Sequence, residues 1–477
     1  MKRAHFDYRI KKIELPEFAL LMGNAMRENS MLMYGEGVDL THIMSRKDSL
    51  KATMDALNNS ETNIIYEAAF EWNDVFVRVD VLRRVSDYEW DIIEVKSGKK
   101  ISERHLLDIS IQKEIAVNSD MIEVHGCYLA VINPEFIFDG NSYENILEEH
   151  KVGIGKKLLW GSARLEEFIE ILKSDIIEND IAPAVETGPQ CRSPSPCSYI
   201  HLCHKYTAEV PISILPRVGN KLAKEWANRN VFDLREIPRE SLNKPHLQRI
   251  WDCHVENKSW KDPQIKIVLQ NLAWPRYFID FETIQQTKPL ILNTKPLDAV
   301  PFQWSVHCWE EEHAELEEGQ SFLQYLGSDI HVNFLTSLLQ AVGTSGPIFV
   351  HNVGTERGVL QKLIKREECT HLTDKTNKVI SRMIDTLPLT RNHFYSPAMM
   401  GSYSLKNIVK AIPTTVQYSG DNGGLVKDGM DAQCAWFHHV DATTNAAKKE
   451  RYTNDLIEYC AKDTIALVDL IKHLSKD

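Results

Sequence analysis

Two carboxylates separated by one residue, Asp280 and Glu282, lie in the run Tyr-Phe-Ile-Asp-Phe-Glu-Thr at residues 277–283. The aromatic and β-branched residues of this run predict a short buried strand. Side chains two apart in a strand point to the same face, so both carboxylates face the same side. Like charges held this close repel, and a divalent cation is the usual reason to tolerate them. Oxygen ligands suit Mg²⁺ or Mn²⁺, the ions of phosphoryl-transfer sites; the alternative is an edge strand with two solvated acids.

A second group of charged residues lies near the ends of two predicted strands. Asp80 falls in the alternating run at residues 75–81, and Glu94 and Lys96 end the next run on one shared face. If the strands are neighbours, two acids would hold a metal and the lysine would orient or activate a water that attacks phosphate. Gln112 lies on the following predicted helix, where it could brace the cluster. The alternative is a surface Glu–Lys pair beside an unrelated aspartate.

Three of the nine cysteines are clustered, with five residues between each and the next: Cys191, Cys197 and Cys203. Three thiolates in a proline-rich loop indicate a bound metal more than ordinary packing, although packing remains the alternative. His201 or His204 could complete a Cys₃His zinc site. The other six cysteines are scattered and predict small core residues rather than a disulfide framework.

Hydrophobic periodicity in the first part of the chain predicts an α/β unit. Residues 1 to about 60 are charged and predict helices with few strand signals. The predicted elements that follow are strands at residues 64–70, 75–81 and 90–95, a helix at 102–118 and a strand at 126–132. Short polar turns between the first three strands predict antiparallel hairpins.

The second half of the chain also alternates between strands and helices. The predicted strands after residue 283 span residues 301–308 and 347–351 and close at Asp385, residues 319–342 are predicted to be largely helical, and the final amphipathic helix spans residues 452–476. In that final helix Tyr459 and Asp463 are four residues apart and share a face. Residues 401–406 predict a loop entering a helix, where serine and Lys406 could meet a substrate phosphate.

Between the two halves, residues 205–270 predict a helical junction. Its run around Gly219 reads as a hairpin turn entering a helix and resembles a helix-hairpin-helix, in which a glycine turn exposes backbone N–H groups to phosphate. Lys221 and Lys224 would then contact a nucleic-acid backbone without reading its sequence. The alternative is a small helical linker that packs one domain on another.

The order Asp80, Glu94-x-Lys96, Gln112 resembles the PD-(D/E)xK pattern of RecB-like and CRISPR-associated exonucleases. The resemblance implies a restriction-endonuclease-like domain over residues 1–204, with two metal-binding acids, a lysine that assists the attacking water and a supporting glutamine. Such relatives often carry an iron–sulfur cluster on one early and three late cysteines. Residues 1–126 contain no cysteine, so an iron–sulfur cluster is not favoured over zinc at the cysteine loop.

The later motifs resemble those of the DEDD exonucleases, whose fold is the ribonuclease-H-like α/β sandwich. The resemblance covers residues 271–477 and implies that four carboxylates coordinate two metal ions: Asp280, Glu282, Glu356 and Asp463. Tyr459 would position the water. The second motif of these enzymes usually supplies aspartate, and this chain has Glu356 there, with Asp385 as an alternative ligand.

The whole arrangement resembles a bacterial family known as domain of unknown function 2779, which joins a RecB-like nuclease region to an exonuclease-like domain. The resemblance runs from about Ile64 to the C-terminus and includes the Glu94-Val95-Lys96-Ser97 strand end and the run at residues 278–283. The expected fold class is therefore α/β, with a PD-(D/E)xK domain, a small helical junction and a DEDD domain.

Composition limits the function only broadly. The 477 residues have a net charge of −12, which argues weakly against a simple sequence-independent coat on nucleic acid. The N-terminus is basic without an apolar signal segment, and no apolar run approaches the length of a bilayer span, so we expect a cytoplasmic protein without membrane contact.

Together these observations predict a metal-dependent nuclease with two phosphodiesterase sites. The expected substrate is DNA, trimmed from 3′ to 5′ by the C-terminal domain, in DNA repair or anti-phage defence with a helicase or defence-complex partner. One alternative is an RNA-processing exonuclease, since the C-terminal fold serves both polymers. The other is a non-catalytic subunit that binds nucleic-acid ends through degenerate nuclease sites.

Overall fold

A computed structural model gives the arrangement of most of the chain. It describes residues 17–153, 162–178, 191, 197, 199, 208–418 and 424–476. Two compact units are formed: Met1–Val185 with Gln285–Asp298, and Glu186–Ile284 with Ala299–Asp477. Their boundaries differ from those of the three expected domains, because the junction belongs to the second unit and residues 285–298 belong to the first. No helix among the described residues is both long enough and apolar enough to cross a bilayer.

The first unit is built on a mixed sheet. Its elements are α1 (Glu17–Tyr34), β1 (Val38–Asp39), α2 (Arg46–Leu57), β2 (Ile64–Trp72), β3 (Val75–Arg84), β4 (Glu89–Lys96), α3 (Glu103–Asn118), β5 (Glu123–Ile132), β6 (Leu147–Lys151) and α4 (Ser162–Ile171). The sheet order is β1-β2-β3-β4-β5-β6. The β1–β2 and β4–β5 pairs are parallel, and the other pairs are antiparallel. The predicted strands and the predicted helix of this part are confirmed.

Local sequence explains two features that fix this sheet. The β2–β3 hairpin turns at Asn73 and Asp74, whose φ angles of 50° and 65° are left-handed. Asn and Asp tolerate this conformation better than other side chains, and it matches the twist of a two-residue hairpin. Helix α3 begins after Ser102, whose side chain accepts the backbone N–H of His105 in a capping box. The hairpin sets the pairing of β3, on which β4 with Glu94 is aligned, and the cap sets the start of α3, which carries Gln112.

Residues 285–298 join the first unit through backbone and side-chain hydrogen bonds. Phe138 and this segment exchange two backbone bonds, from Asn293 N to Phe138 O (2.8 Å) and from Phe138 N to Thr294 O (3.0 Å). Asn29, buried on α1, donates its side-chain amide to Thr287 O at 3.1 Å. The segment lies between two strands of the second unit along the sequence, so the chain passes between the two units three times.

The second unit contains a five-stranded sheet and most of the helices. Its elements are α5 (Gly219–Ala227), α6 (Pro245–Glu256), β7 (Trp260–Lys261), α7 (Gln264–Gln270), β8 (Arg276–Ile284), β9 (Val300–Trp309), β10 (Gln320–Leu323), α8 (Ile330–Ala341), β11 (Ile348–Val350), α9 (Gly354–Leu363), α10 (Thr373–Arg382), β12 (Met383–Asp385), α11 (Thr386–His393), β13 (Phe394–Tyr395), α12 (Leu405–Ile408), α13 (Gly429–Val440) and α14 (Ala446–Ser475). The sheet order is β10-β9-β8-β11-β12. Strands β8, β9 and β10 are antiparallel neighbours, and β11 and β12 run parallel to β8.

The expectation of a largely helical segment at residues 319–342 is wrong for its first part. Residues 320–323 form the edge strand β10, paired with β9, and the helix begins only at Ile330. So short a segment forms a strand only when a neighbouring strand supplies its hydrogen bonds. The local sequence does not show that such a neighbour exists. The α/β class is confirmed; assignment of the sheets to particular fold families stays a prediction.

Strand β8 is the centre of this sheet and separates two apolar cores. On one face Phe278 stacks on Phe349 of β11 with ring centroids 5.2 Å apart. On the other face Phe281 meets Phe334 of α8 edge-on at 5.1 Å. Phe278 shares its core with buried residues of α14, and the period of two puts Asp280 on that same face.

Gly401 connects the core of this unit to the junction and provides a test of the packing. Its φ of 74° is left-handed, and a Cβ there would clash with the carbonyl oxygen of Ile214. We expect Gly401→Ala to reduce the free energy of unfolding by about 2 kcal/mol or more, measured by chemical denaturation. Gly358→Ala is the control, because Gly358 lies in α9 with open space around it and alanine favours helix. Equal stability of the two variants would contradict this account.

Candidate active sites

Strand β8 and helix α14 bring three carboxylates together in the second unit. One oxygen each from Asp280, Glu282 and Asp463 lie within 4.8 Å of one another. Glu282 is buried, and the other two are partly exposed. The predicted convergence of the strand pair with Asp463 of the last helix is therefore present, and the group is compact enough to share one cation.

A buried polar contact between β9 and α14 fixes the position of Asp463. Thr464 is fully buried, and its hydroxyl lies 3.1 Å from Ser305 Oγ and 2.8 Å from His307 Nδ1. Gln303 donates its side-chain amide to the carbonyl of Leu456 at 2.8 Å. In the β8–β9 ladder Ser305 lies opposite Asp280, so these bonds align α14 with the carboxylates of β8. Sequence reasoning missed these residues, although polar side chains at every second position of a buried strand were a usable signal.

Glu356, on α9, is buried close to this group but outside its 4.8 Å limit. Its charge contributes to the raised pKa of Asp280, and its Oε2 has no hydrogen-bond partner among the described residues. Asp385, the alternative ligand, has a defined structural contact: its Oδ1 accepts the N–H groups of Asn352 (3.0 Å) and Leu387 (2.9 Å). Asp385 therefore caps α11, and Glu356 is the better placed fourth carboxylate.

Burial and mutual repulsion raise the pKa values of these acids. Burial, and then the charges of Asp463 and the other acids, raise the pKa of Asp280 well above its usual range. The same effects raise the pKa of Glu282 to about 8. Burial raises the pKa of Glu356 to about 7 and that of Asp463 to about 6. A cation that displaces these protons would remove the repulsion, so the electrostatics of the cluster favour cation binding.

Two tyrosines and a lysine border the carboxylates. The hydroxyl of Tyr418 donates to Asp463 Oδ1. Lys406 Nζ lies 5.8 Å from the ring centroids of both Tyr418 and Tyr459 and donates to the carbonyl of Lys427 at 2.7 Å. Burial and the charge of Asp463 raise the pKa of Tyr459, so its hydroxyl stays protonated at neutral pH. Tyr418 was missed because no local pattern places a residue from that loop against α14.

The first unit gathers all four predicted residues of its own cluster. Gln112 Nε2 donates to Glu94 Oε2 at 2.7 Å, and Lys96 Nζ donates to Glu94 Oε1 and to Asp108 Oδ2. Asp80 Oδ2 accepts the N–H of Val95 at 2.7 Å, which holds this carboxylate beside the end of β4. Asp108 was missed, although its position four residues before Gln112 puts both on one face of α3.

A cavity of about 400 Å³ opens over this cluster, lined by Asp80, Glu94 and Lys96. Burial and the charge of Asp80 raise the pKa of Glu94 well above its usual range. Glu67 also lines the cavity, and burial followed by repulsion from Asp80 raises its pKa. Glu67 has a left-handed φ of 58° within β2 and is absent from the register of β2 with β3. A third carboxylate, that of Glu67, is therefore available beside Asp80 and Glu94.

Gly219 begins α5 in the junction, and a contact of this turn with nucleic-acid phosphate stays a prediction. The N–H of Gly219 is already donated to Leu215 O at 2.9 Å, and a Cβ at this position would lie 2.6 Å from Ser213 O. Gly219 is thus explained by close packing of α5 on the preceding turn. Lys221 is exposed and lies 3.9 Å from Glu225, its neighbour one turn along. Lys224 lies in the last turn of the same helix.

The cysteine loop falls largely outside the described residues, as do Cys203, His201 and His204. The N–H of Cys197 donates to the carbonyl of Cys191 at 2.7 Å. None of the eight described cysteines forms a disulfide. Zinc or an iron–sulfur cluster at this loop stays a prediction.

Residues 277–404 match the family described as a domain of unknown function (DUF2779). The match starts in β8, contains Asp280, Glu282 and Glu356, and ends just before α12. It supports the family resemblance for this part of the chain and carries no activity with it. No curated protein matches the chain.

The raised pKa of Glu282 gives a test of the buried repulsion. Its folded pKa of about 8 exceeds the usual 4.5, so between these values the folded chain binds more protons than the unfolded chain. Stability of the metal-free protein therefore falls as pH rises across this window. We expect Glu282→Gln to raise the melting temperature in EDTA at pH 8 by about 3 °C or more, with the difference disappearing near pH 4.5.

Thermal unfolding followed by circular dichroism from pH 4.5 to 8.5 measures this effect. Glu311→Gln removes an exposed carboxylate from the same unit and should leave the melting temperature unchanged at every pH. A Glu282→Gln variant that is less stable than wild type at pH 8 would show that the carboxylate is stabilising rather than strained.

Proposed function

We propose that the protein is a metal-dependent phosphodiesterase that cleaves nucleic acid, with one site in each unit. The observation that carries this proposal is the meeting of Asp280, Glu282 and Asp463 within 4.8 Å on buried elements. Placing three carboxylates so close together on buried elements costs free energy. Their position between β8 and α14 therefore favours a site for a cation.

The chemistry of the donor set fits Mg²⁺ or Mn²⁺. The donors of this group are carboxylate oxygens. The buried Glu356 Oε2, which has no hydrogen-bond partner in the described part of the chain, is a fourth oxygen available nearby. Bound ions of this kind would lower the pKa of a water and neutralise charge on the phosphodiester. Asp280, Glu282 and Asp463 would hold the ion, and Glu356 would complete the set.

Two neighbouring side chains would act on the water and the substrate. The protonated hydroxyl of Tyr459 is suited to orienting a water, because it can donate one hydrogen bond and accept another. Lys406, whose charge lowers the pKa of both Glu282 and Asp463, is suited to contacting a phosphate oxygen. The strand order β10-β9-β8-β11-β12 supports the proposal that this unit is a ribonuclease-H-like exonuclease.

The cluster in the first unit supports a second phosphodiesterase site. Asp80 and Glu94, with Glu67 nearby, would hold Mg²⁺ or Mn²⁺, and Lys96 would orient or activate the attacking water. Lys96 is held by Glu94 and Asp108, and Gln112 fixes the other oxygen of Glu94. We propose that DNA is the substrate of both sites and that the C-terminal site trims it from 3′ to 5′. The basis for both proposals is the resemblance to the exonuclease families.

Loss of a carboxylate at the C-terminal site tests the main proposal. We expect Asp280→Asn to lower the rate of nucleotide release from end-labelled single-stranded DNA with Mn²⁺ by at least about 10²-fold, because it replaces a negatively charged metal ligand by a neutral amide. Double-stranded DNA and RNA are tested in the same gel. Glu311→Gln, an exposed change, is the matched control.

Mn²⁺ titration of the melting temperature separates an inactive binding subunit from an enzyme. The proposal predicts stabilisation of the wild type by Mn²⁺ and a smaller effect on Asp280→Asn. Wild-type protein that cleaves no nucleic acid and is not stabilised by Mn²⁺ would overturn the proposal.

Lys96→Ala tests the site of the first unit separately. Because this lysine would act on the water, we expect a loss of about 10²-fold or more in the products that Asp280→Asn leaves intact. Lys100→Ala removes an exposed cation nearby and should retain those products. If Asp280→Asn alone abolishes all cleavage, the first unit is not a second nuclease.

A further inference from the structure

A second cavity, of about 630 Å³, lies in the second unit and is lined by basic residues rather than acidic ones. The junction contributes Arg217, Lys244 and His246, and α11 contributes Arg391. None of the residues lining it is Asp or Glu, as far as the described chain extends. The chain as a whole has a net charge of −12, so this local excess of cations is not a reflection of composition.

Three of the cations that line this cavity lie close enough to His246 to lower its pKa. Burial lowers the pKa of His246, and the charges of Lys244, Arg391, Arg249 and Arg217 lower it further. Within the described ranges, Arg217, Lys244 and Arg391 form no ion pair with a carboxylate, whereas the exposed Lys221 faces Glu225. Unneutralised cations facing one cavity create a positive potential that attracts an anion.

The cavity also offers neutral hydrogen-bond donors. Tyr403 lines it, is 7 % exposed, and has a hydroxyl with no hydrogen-bond partner among the described residues. Burial raises the pKa of Tyr403 to about 12, so this hydroxyl keeps its proton and can donate it. Helix α6 begins at Pro245, beside Lys244 and His246, and its N-terminal dipole adds to the positive potential.

The cavity shares backbone segments with the candidate carboxylate site. Asn352 lines the cavity, and its N–H is donated to Asp385, whose charge helps to raise the pKa of Glu356. Ser404 lines it and is the N-cap residue of α12, which carries Lys406. His351 joins the two segments, because its Nε2 lies 2.8 Å from the carbonyl oxygen of Tyr403.

We propose that this cavity binds the phosphodiester backbone of a single nucleic-acid strand that is cleaved at the carboxylate site. The inference rests on the proposed function and adds to it the path of the substrate and the residues that hold it. A backbone phosphate is an anion that accepts hydrogen bonds, which matches arginine, lysine and tyrosine donors without a carboxylate among them. The volume is within the range of nucleotide-sized ligands.

Fluorescence anisotropy with a labelled single-stranded DNA or RNA oligonucleotide tests this binding in EDTA, where no cleavage takes place. We expect the double variant Arg217→Ala, Lys244→Ala to raise Kd about tenfold or more in 0.1 M salt. The slope of log Kd against log salt concentration should fall by about 1.4, at about 0.7 for each lost contact with a single strand. Both side chains are exposed, so the fold should persist, which the melting temperature checks.

The matched control is Lys375→Ala, Lys378→Ala, which removes two exposed cations of α10 in the same unit that do not line the cavity. It should change Kd by less than about twofold, since general charge effects at this salt are screened. Equal weakening by both double variants would attribute binding to net charge and overturn the inference. No binding by wild type, or unchanged Kd in the cavity variant, would also overturn it.

Cleavage by the same samples with Mn²⁺ distinguishes the two proposals. Cleavage by wild type together with unchanged Kd in the cavity variant overturns the cavity and leaves the nuclease proposal standing. Cavity-dependent binding without cleavage supports the cavity and overturns the catalytic proposal. Tyr403→Phe should give a smaller loss of affinity than the double variant, because it removes one neutral donor and no charge.

Discussion

The repulsion among Asp280, Glu282 and Asp463 is the constraint on which the second unit is built. Three acids within 4.8 Å on buried elements would push β8 and α14 apart unless other contacts held them. The opposing contacts lie on the face of the sheet that carries these acids: Phe278 stacks on Phe349, and Thr464 of α14 bonds to Ser305 and His307 of β9. The central strand and the longest helix of the unit are therefore the elements that carry the unfavourable charge.

The two clusters of acids differ in how their charge is balanced. In the first unit Lys96 is bonded directly to Glu94, so the protein supplies a cation inside the cluster. In the second unit Lys406 lies over two tyrosine rings and bonds to a backbone carbonyl, so its charge acts on the acids only from a distance. The second cluster consequently depends more on an external cation, and we expect it to bind metal more tightly than the first.

The sequence predicted most strands and both carboxylate clusters, because those residues belong to strongly periodic elements. Asp280 and Glu282 could be paired from the period of a strand, and Tyr459 and Asp463 from that of a helix. Partners from distant loops, such as Tyr418, and the edge strand β10 could not be predicted, since tertiary neighbours decide them. The basic cavity was missed for the same reason: Arg217 and Arg391 are far apart in sequence, and tertiary contacts such as the packing of Gly401 on Ile214 bring their segments together.

The placement of residues 285–298 in the first unit affects how the chain can be made and divided. When the ribosome has synthesised Met1–Val185, it has not yet produced Asn293 and Thr294, which hydrogen-bond to Phe138. By the time these emerge, β8 has also been synthesised and has no β9 with which to pair. All residues of the first unit are thus synthesised before the sheet of the second unit can be completed, and no single cut of the polypeptide separates two whole units.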